Sequence, residues 1–429
     1  MNNNKSVFYY GWIIVAVSFL TLFFSIGIRV SFGVYYVAIL DEFGWSRAST
    51  ALAFSIAMCV HAIFAPVSGF LIDRFSPRRL FPVGAAFLAT GLILCSCISS
   101  RLQLYLCWGV FTAIGINMTG FAPNMTIVPR WFIKKKGLAN GIAASGIGAG
   151  SLFVAMIAGF IIKNWGWRAS FLVTATAVLL FIIPAASIFL RRSPQEIGLL
   201  PDNVKNIKNE RGGRILTGGL TEKICERQWT LGMVAKTAPF WWINLTAGCH
   251  GYIVSMMVVH QTVYVVDSGF SHLLAASILG ITWGLGSLGN AFFGAISDRV
   301  GRKWALALGS ALAFSGMIFF LFLKGTHLNI LLYLFAFFYG TGQGAYSPIY
   351  ASSMADLYAG PSFGKIIATV SVAYGIGGAF SSYAGGYLYD ARGSYILPFL
   401  SLMVCIILGA LGIWMASPEK NKIRYQTLE

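Results

Sequence analysis

Arg29 places a guanidinium near the middle of an apolar run, Trp12 to Leu40, and is the one formally charged side chain deep in any such run of this 429-residue chain. In the hydrocarbon core of a bilayer an arginine costs roughly 2.5–3.5 kcal/mol on insertion scales, so it faces a cavity or a partner. Its planar fork stays protonated and matches a carboxylate. The fourteen acidic residues all lie in loops or near the ends of apolar runs. No built-in carboxylate is therefore at hand for Arg29, and an anion from solution is the natural partner. A chain that moves organic cations would be expected to bury an Asp or Glu instead. The competing reading is structural: Arg29 stands eleven residues from Leu40, about 16 Å of helix, and a tilted or early-ending helix would bring helix carbonyls or water within reach.

Histidine alone has an unperturbed pKa near working pH, so a proton-coupled chain without buried carboxylates would use one. Three lie inside apolar runs: His61, His250 and His260. His250, mid-run in the second half of the chain, has the best claim to substrate or proton handling; His61 is the second candidate for the proton. Each also reads as an ordinary helix-to-helix hydrogen bond. Asn117, Gln343, Tyr346, Tyr35 and Tyr36 would complete a pocket of a few polar groups set in apolar walls, or equally well stabilise helix packing; the same holds for Asn124.

The elements that must carry these residues are legible from composition. Charged residues make up 10% and hydrophobic residues 57% of the chain, against about 25% charged in an average soluble domain. The apolar material falls into twelve runs, at 12–40, 46–72, 79–98, 102–128, 137–162, 168–190, 238–266, 272–296, 303–323, 328–354, 364–389 and 394–416. Each is long enough for a helix to cross a hydrocarbon core ~30 Å thick, and helices satisfy their backbone internally there. The expected fold is an all-α polytopic membrane protein. The first run is longer than a cleavable signal and ends in no small-residue cleavage site, so it reads as a retained span.

The net charge of +17 is a topology signal rather than a nucleic-acid one. With the N-terminus inside, 24 Lys and Arg fall on cytoplasmic segments and 6 on external ones, Arg29 aside. That asymmetry places both termini in the cytoplasm. The cysteines are scattered with no metal-cluster spacing and read as reduced packing residues. Asn117, Asn124 and Asn244 open glycosylation-like triplets, but inside spans. Gly141 to Gly150 is glycine-rich without a preceding strand, which points to close helix packing rather than a dinucleotide loop. No phosphate-binding loop of the Gly-x-x-x-x-Gly-Lys type occurs.

The chain also repeats itself. Gly69-Phe-Leu-Ile-Asp73-Arg74-Phe-Ser76-Pro-Arg78-Arg79 recurs 225 residues on as Gly294-Ala-Ile-Ser-Asp298-Arg299-Val-Gly301-Arg302-Lys303. The same offset relates Gly44-Trp-Ser to Gly269-Phe-Ser, Gly115 to Gly340 and Pro123 to Pro348. Six spans restore the starting side, so the halves are parallel copies, the arrangement in which two bundles rock about a central site.

These paired loops after spans two and eight resemble the signature loop of the major facilitator superfamily, with Ser76 departing where the family has Gly. Tyr10-Gly11-Trp12, Glu42-Phe-Gly-Trp45-Ser-Arg47, Arg130-Trp131-Phe132 and Arg192-Ser-Pro194-Gln-Glu196-Ile-Gly198 further resemble the bacterial monocarboxylate-porter and oxalate/formate-antiporter group. The resemblance implies two homologous six-helix bundles carrying a small organic anion, with the loop residues latching helices in one state. It also implies that Arg29, placed like the basic residue of span one in animal monocarboxylate carriers, binds the substrate carboxylate. Span eight departs from the group: it holds Asn290 and Trp283 but no interior basic residue. One buried cation instead of two favours a monocarboxylate over a dicarboxylate.

The expectation is a transporter, not an enzyme, with residues 1–190 and 238–429 as the two bundles and 191–237 as a cytoplasmic linker. It has no cofactor or metal, works as a monomer in the bacterial cytoplasmic membrane, and moves a monocarboxylate with a proton. Its alternatives are anion exchange, in which a counter-anion replaces the proton, and, further off, multidrug efflux. Missing buried acids disfavour efflux, and a receptor role lacks a large soluble sensory domain.

Overall fold

The computed structural model describes residues 9–132, 135–201, 229–326, 328–360 and 362–416, and every regular element among them is helical. The N-terminal half begins with α1 (Gly11–Phe43), α2 (Arg47–Arg74) and α3 (Pro77–Cys95). Span four is composite: α4 (Arg101–Leu104), a π-helical segment (Tyr105–Thr112), α5 (Ala113–Thr119) and α6 (Phe121–Ile127). Then comes α7 (Lys136–Phe189), 54 residues long. Straight, it would measure about 81 Å, far beyond one bilayer crossing. Gly166 breaks it with φ 82° and ψ 164°, making it spans five and six.

After a short α8 (Leu231–Val234), the second half runs through α9 (Ala238–Asp267), α10 (His272–Val300), α11 (Arg302–Leu321), α12 (Asn329–Gln343), α13 (Tyr346–Tyr358), α14 (Phe363–Arg392) and α15 (Ile396–Ala416). Gly344 and Ala345 keep near-helical angles, so α12 and α13 together form one span, the tenth. Among the described residues twelve crossings result, in two bundles of six. Residues 202–228, which include most of the anticipated linker and its Gly pairs, lie outside the described residues.

The duplicated Gly-aromatic-Ser triplets turn out to be helix punctuation. Gly44 closes α1 in the left-handed region at φ 60°, and Gly269 sits at φ 93° after α9. Two residues on, Ser46 and Ser271 cap α2 and α10 by accepting from the backbone N–H of Ser49 and Leu274. Each cap of this kind contributes on the order of 1 kcal/mol. The departure at Ser76 has a backbone reason too. Ser76 is extended at φ −63°, whereas Gly301 stands at φ 88°, a conformation that only glycine adopts without strain.

The halves meet along four helix pairs among the described residues, α1 with α9, α1 with α10, α2 with α14 and α7 with α10. Among the candidate spans α9 and α1 are the most enclosed, which makes them the helices best placed to line a central path. Their approach is close: a Cβ added to Gly33 of α1 would come within 2.1 Å of the Val258 carbonyl oxygen on α9.

Candidate functional site

Arg29 reaches across the junction of the halves. Its Nη2 donates to the Tyr374 hydroxyl on α14 at 2.9 Å, and its guanidinium carbon lies 5.8 Å from the Tyr374 ring centre. Among the described residues it forms no ion pair. The Tyr374 hydroxyl accepts that one bond, and its own proton has no acceptor among the described residues.

Tyr374 is the hub of the centre. His61 on α2 meets its ring edge-on at 6.0 Å, and His250 on α9 meets it at 5.5 Å. His61 Nδ1 is 2.6 Å from Asn117 Oδ1, while Asn117 Nδ2 donates back to the Ala113 carbonyl at 2.8 Å. That pairing requires the proton on Nδ1 and fixes the His61 ring in place. His250 stacks on Tyr346 at 5.2 Å and 10° and also touches Tyr350. Neither of its ring nitrogens makes a hydrogen bond of proper geometry, although Gln343 stands beside it. Beside Arg29, on the N-terminal side, a narrow recess with room for about one water molecule is lined by Phe54, Met58, Trp108, Ile116, His61 and Asn117.

The structure therefore brings Arg29, His61, Asn117, His250, Gln343 and Tyr346 into one region. Tyr346 contributes its ring, since its hydroxyl is occupied by Ser310 and the Ile406 carbonyl. Tyr35 and Tyr36 go elsewhere. Tyr35 is buried against Phe171, with centroids 3.9 Å apart, and bonds Ser170. Tyr36 donates to the Arg47 carbonyl at the end of the molecule that carries the α1–α2 turn. Both sit at least six residues beyond Arg29, a helical rise of about 9 Å, and so miss its level. His260 is a joint: Nε2 donates to the Ser382 carbonyl at 2.9 Å, and Nδ1 faces the Tyr395 hydroxyl at 3.2 Å.

That same end is tied together between the halves. Arg47 at the start of α2 pairs with Asp267 of α9 at 2.7 Å. Its guanidinium lies 3.6 Å from the centre of the Tyr389 ring. Asp390 of α14 accepts from the backbone N–H groups of Arg47 and Ala48 at 3.1 and 2.9 Å. A carboxylate of one half thus caps a helix N-terminus of the other, where the helix dipole favours negative charge. His272 and Asp41 approach across the same seam at 3.9 Å.

The paired loops lie at the opposite end. Arg302 bonds Asp298 at 2.5 Å, Ser297 at 2.6 Å and Asp356 of α13 at 3.1 Å. This cluster ties α10, α11 and α13 together within the C-terminal half. Lys303 lies 5.4 Å from the Trp414 ring, and Arg299 is exposed at the end of α10. In the first copy Arg78 Nε donates to the Ser187 carbonyl at 2.6 Å, tying α3 to the end of α7. Arg74 and Arg79 are exposed. The side chain of Asp73, and Gly69, lie outside what is described.

The sequence pattern of the Major Facilitator Superfamily matches residues 17–357 and 282–427. The chain belongs to that superfamily. It is 26% identical over 428 residues to monocarboxylate transporter 12 of Rattus norvegicus, covering 97% of this chain and 87% of the relative. It is 24% identical over 433 residues to monocarboxylate transporter 2 of Homo sapiens, covering 98% and 87%. A crystal structure of a bacterial homologue of the human lysosomal transporter Spinster, inward-facing and occupied, superposes with a TM-score of 0.70 over 95% of this chain and 97% of that one, at 15% identity. The fold is that of a superfamily transporter, and the chain is a multi-pass membrane protein, not an enzyme.

For this superfamily member, sequence reasoning missed Tyr374, Tyr350, Trp108, Asp267, Asp356 and Asp390. The two tyrosines carry no flag among 18 in the chain. The three aspartates were visible as acids near helix ends, but their partners are 54 to 343 residues away. Trp108 could have been noticed as a tryptophan one turn from Thr112 in span four, but nothing in its spacing announces a π-helical turn.

Proposed function

We propose that the chain carries a small organic monocarboxylate across the membrane by alternating access, in symport with a proton. The observation that carries this is Arg29: a cation at the junction of the halves, hydrogen-bonded to a tyrosine of the other half and without an ion pair among the described residues. A carboxylate seated there would accept from the guanidinium of the first half and from the free hydroxyl proton of Tyr374 in the second. Charge-assisted bonds of this kind are worth about 1.5–3 kcal/mol each, and one that spans both halves links occupancy to their relative motion. The names of the monocarboxylate transporters in the comparison support the same substrate class.

In this reading His250 exchanges the proton, with its two uncommitted nitrogens beside the anion site, and His61 is its alternate. The Arg47–Asp267–Asp390 clamp closes the external side, and the Asp298–Arg302–Asp356 cluster and the Arg78 contact brace helices on the cytoplasmic side, where both termini lie. The bacterial cytoplasmic membrane is the expected location, and the monomer the working unit.

Uptake of labelled pyruvate into proteoliposomes tests the reading. The expected result is saturable uptake, accelerated by an acid-outside gradient and reduced by a protonophore. Acceleration by a preloaded internal anion but not by the gradient would replace symport with exchange. No uptake of any monocarboxylate would overturn the proposal.

A further inference from the structure

We infer that Trp108, held on the π-helical turn of span four, sets the upper size limit of the group attached to the transported carboxylate. This inference rests on the monocarboxylate reading above and extends it to a specificity-determining residue. The recess beside Arg29 is a mostly apolar space that the guanidinium itself lines, and a carboxylate on Arg29 would direct its organic group into it. Phe54 and Met58 of α2, Ile116 of α5 and the Trp108 ring wall that space. The room left for an entering group is about that of one water molecule. A methyl group fits such a space, and a propyl chain does not unless a wall retreats.

Trp108 is a wall with little freedom to retreat. Its side chain is 1% exposed. Behind the recess its ring packs on Phe32 at 4.9 Å, Phe171 at 6.1 Å and Tyr35 at 6.3 Å. Tyr35 in turn stacks on Phe171 and is pinned by Ser170, which gives this residue, anticipated in the substrate site, a supporting role one layer back. The backbone beneath Trp108 is π-helical from Tyr105 to Thr112, and Thr112 Oγ1 bonds the Cys107 carbonyl at 2.8 Å across the widened turn. A π-turn inserts an extra residue into the helix and re-aims the side chains it carries; such turns recur at functional sites. Met58, by contrast, is unbranched and has three rotatable bonds, so it adapts more readily. The limit is therefore set from the Trp108 side.

The test is a competition series against labelled pyruvate uptake in proteoliposomes, using unlabelled straight-chain 2-oxo acids of three to six carbons. The unaltered protein is expected to discriminate at least about tenfold against the six-carbon acid relative to the three-carbon one. Trp108→Ala should shrink that ratio to about threefold or less, and Trp108→Phe should give an intermediate value. Should Trp108→Ala fail to fold, Trp108→Phe stands in, its intermediate ratio carrying the assignment, while Met58→Ala, which opens a wall that already yields, should change the ratio by less than about twofold. A protein that transports the series but whose ratio is the same with and without Trp108→Ala, or with and without Trp108→Phe where that variant stands in, overturns the assignment of Trp108 alone. A protein that takes up none of the acids overturns the functional reading and this inference with it.

Discussion

The two halves share a backbone plan but bring different chemistry to the centre. At the 225-residue offset that aligns their loops, caps and glycines, Arg29 corresponds to Val254, His61 to Gly286 and Asn117 to Gly342. In the other direction His250 corresponds to Ser25, Tyr374 to Ala149 and Tyr350 to Met125. The N-terminal wall supplies the cation, a histidine fixed by an asparagine and a small apolar recess. The C-terminal wall supplies aromatic rings and a histidine with both nitrogens free of good hydrogen bonds. Duplication preserved what positions helices, namely caps, close glycine contacts and loop signs, and left the site residues to diverge. In the proposed reading, a single anion would have one charged side to bind and one aromatic side to slide against.

Making the halves alike should destroy this division of labour. Arg29→Val installs the residue that the other half carries at the matching position. Leaving a buried carboxylate without its charged partner costs about 2–5 kcal/mol, and each 1.4 kcal/mol is tenfold. Pyruvate uptake should fall by at least about 30-fold, while the protein still inserts and elutes as a folded species; uptake within threefold of the unaltered protein would contradict the assignment.

A smaller effect is expected at the clamp, where the halves act in concert. Val258 is 1% exposed beneath it, so a cysteine placed there should resist a membrane-impermeant maleimide. Adding Arg47→Gln removes the Asp267 pair and the contact with Tyr389, and should raise the labelling rate by about tenfold. An unchanged rate would show that the clamp does not hold that side closed.

The least drastic change concerns the proton. With His250 exchanging it, uptake rises as the external pH falls, and His250→Ala should flatten that dependence by several-fold while His260→Asn leaves its shape intact. His260 is spent on Ser382 and Tyr395. A profile unmoved by His250→Ala would transfer the role to His61.

How much of this was readable beforehand depended on the range of the physics involved. Spans follow from uninterrupted hydrophobicity, and the two-fold plan from a repeated loop; both are local in sequence. Arg29 was conspicuous because charge in an apolar run is expensive. Tyr35 and Tyr36 show the limit of reading along one helix: they share α1 with Arg29, yet Tyr35 faces Phe171 and Tyr36 faces the clamp. Tyr374 is the opposite case. It is an ordinary tyrosine in an ordinary helix, and it matters only because α14 folds against the first half and meets Arg29 of α1 from 345 residues away in sequence. The same is true of Asp390, whose cap on α2 exists only between the halves. The extra residue per turn around Trp108 leaves no mark in the periodicity of so uniformly apolar a segment.

The central claim is that Arg29 recognises the negative charge of a carboxylate, with Tyr374 completing the grip from the other half. Competition by pyruvate and by its uncharged amide, against labelled pyruvate uptake, measures that recognition directly. The unaltered protein should prefer the anion by at least about 30-fold, Tyr374→Phe should keep most of that preference, and Arg29→Gln should reduce it to about threefold or less. A full preference for the anion retained in Arg29→Gln would contradict the account.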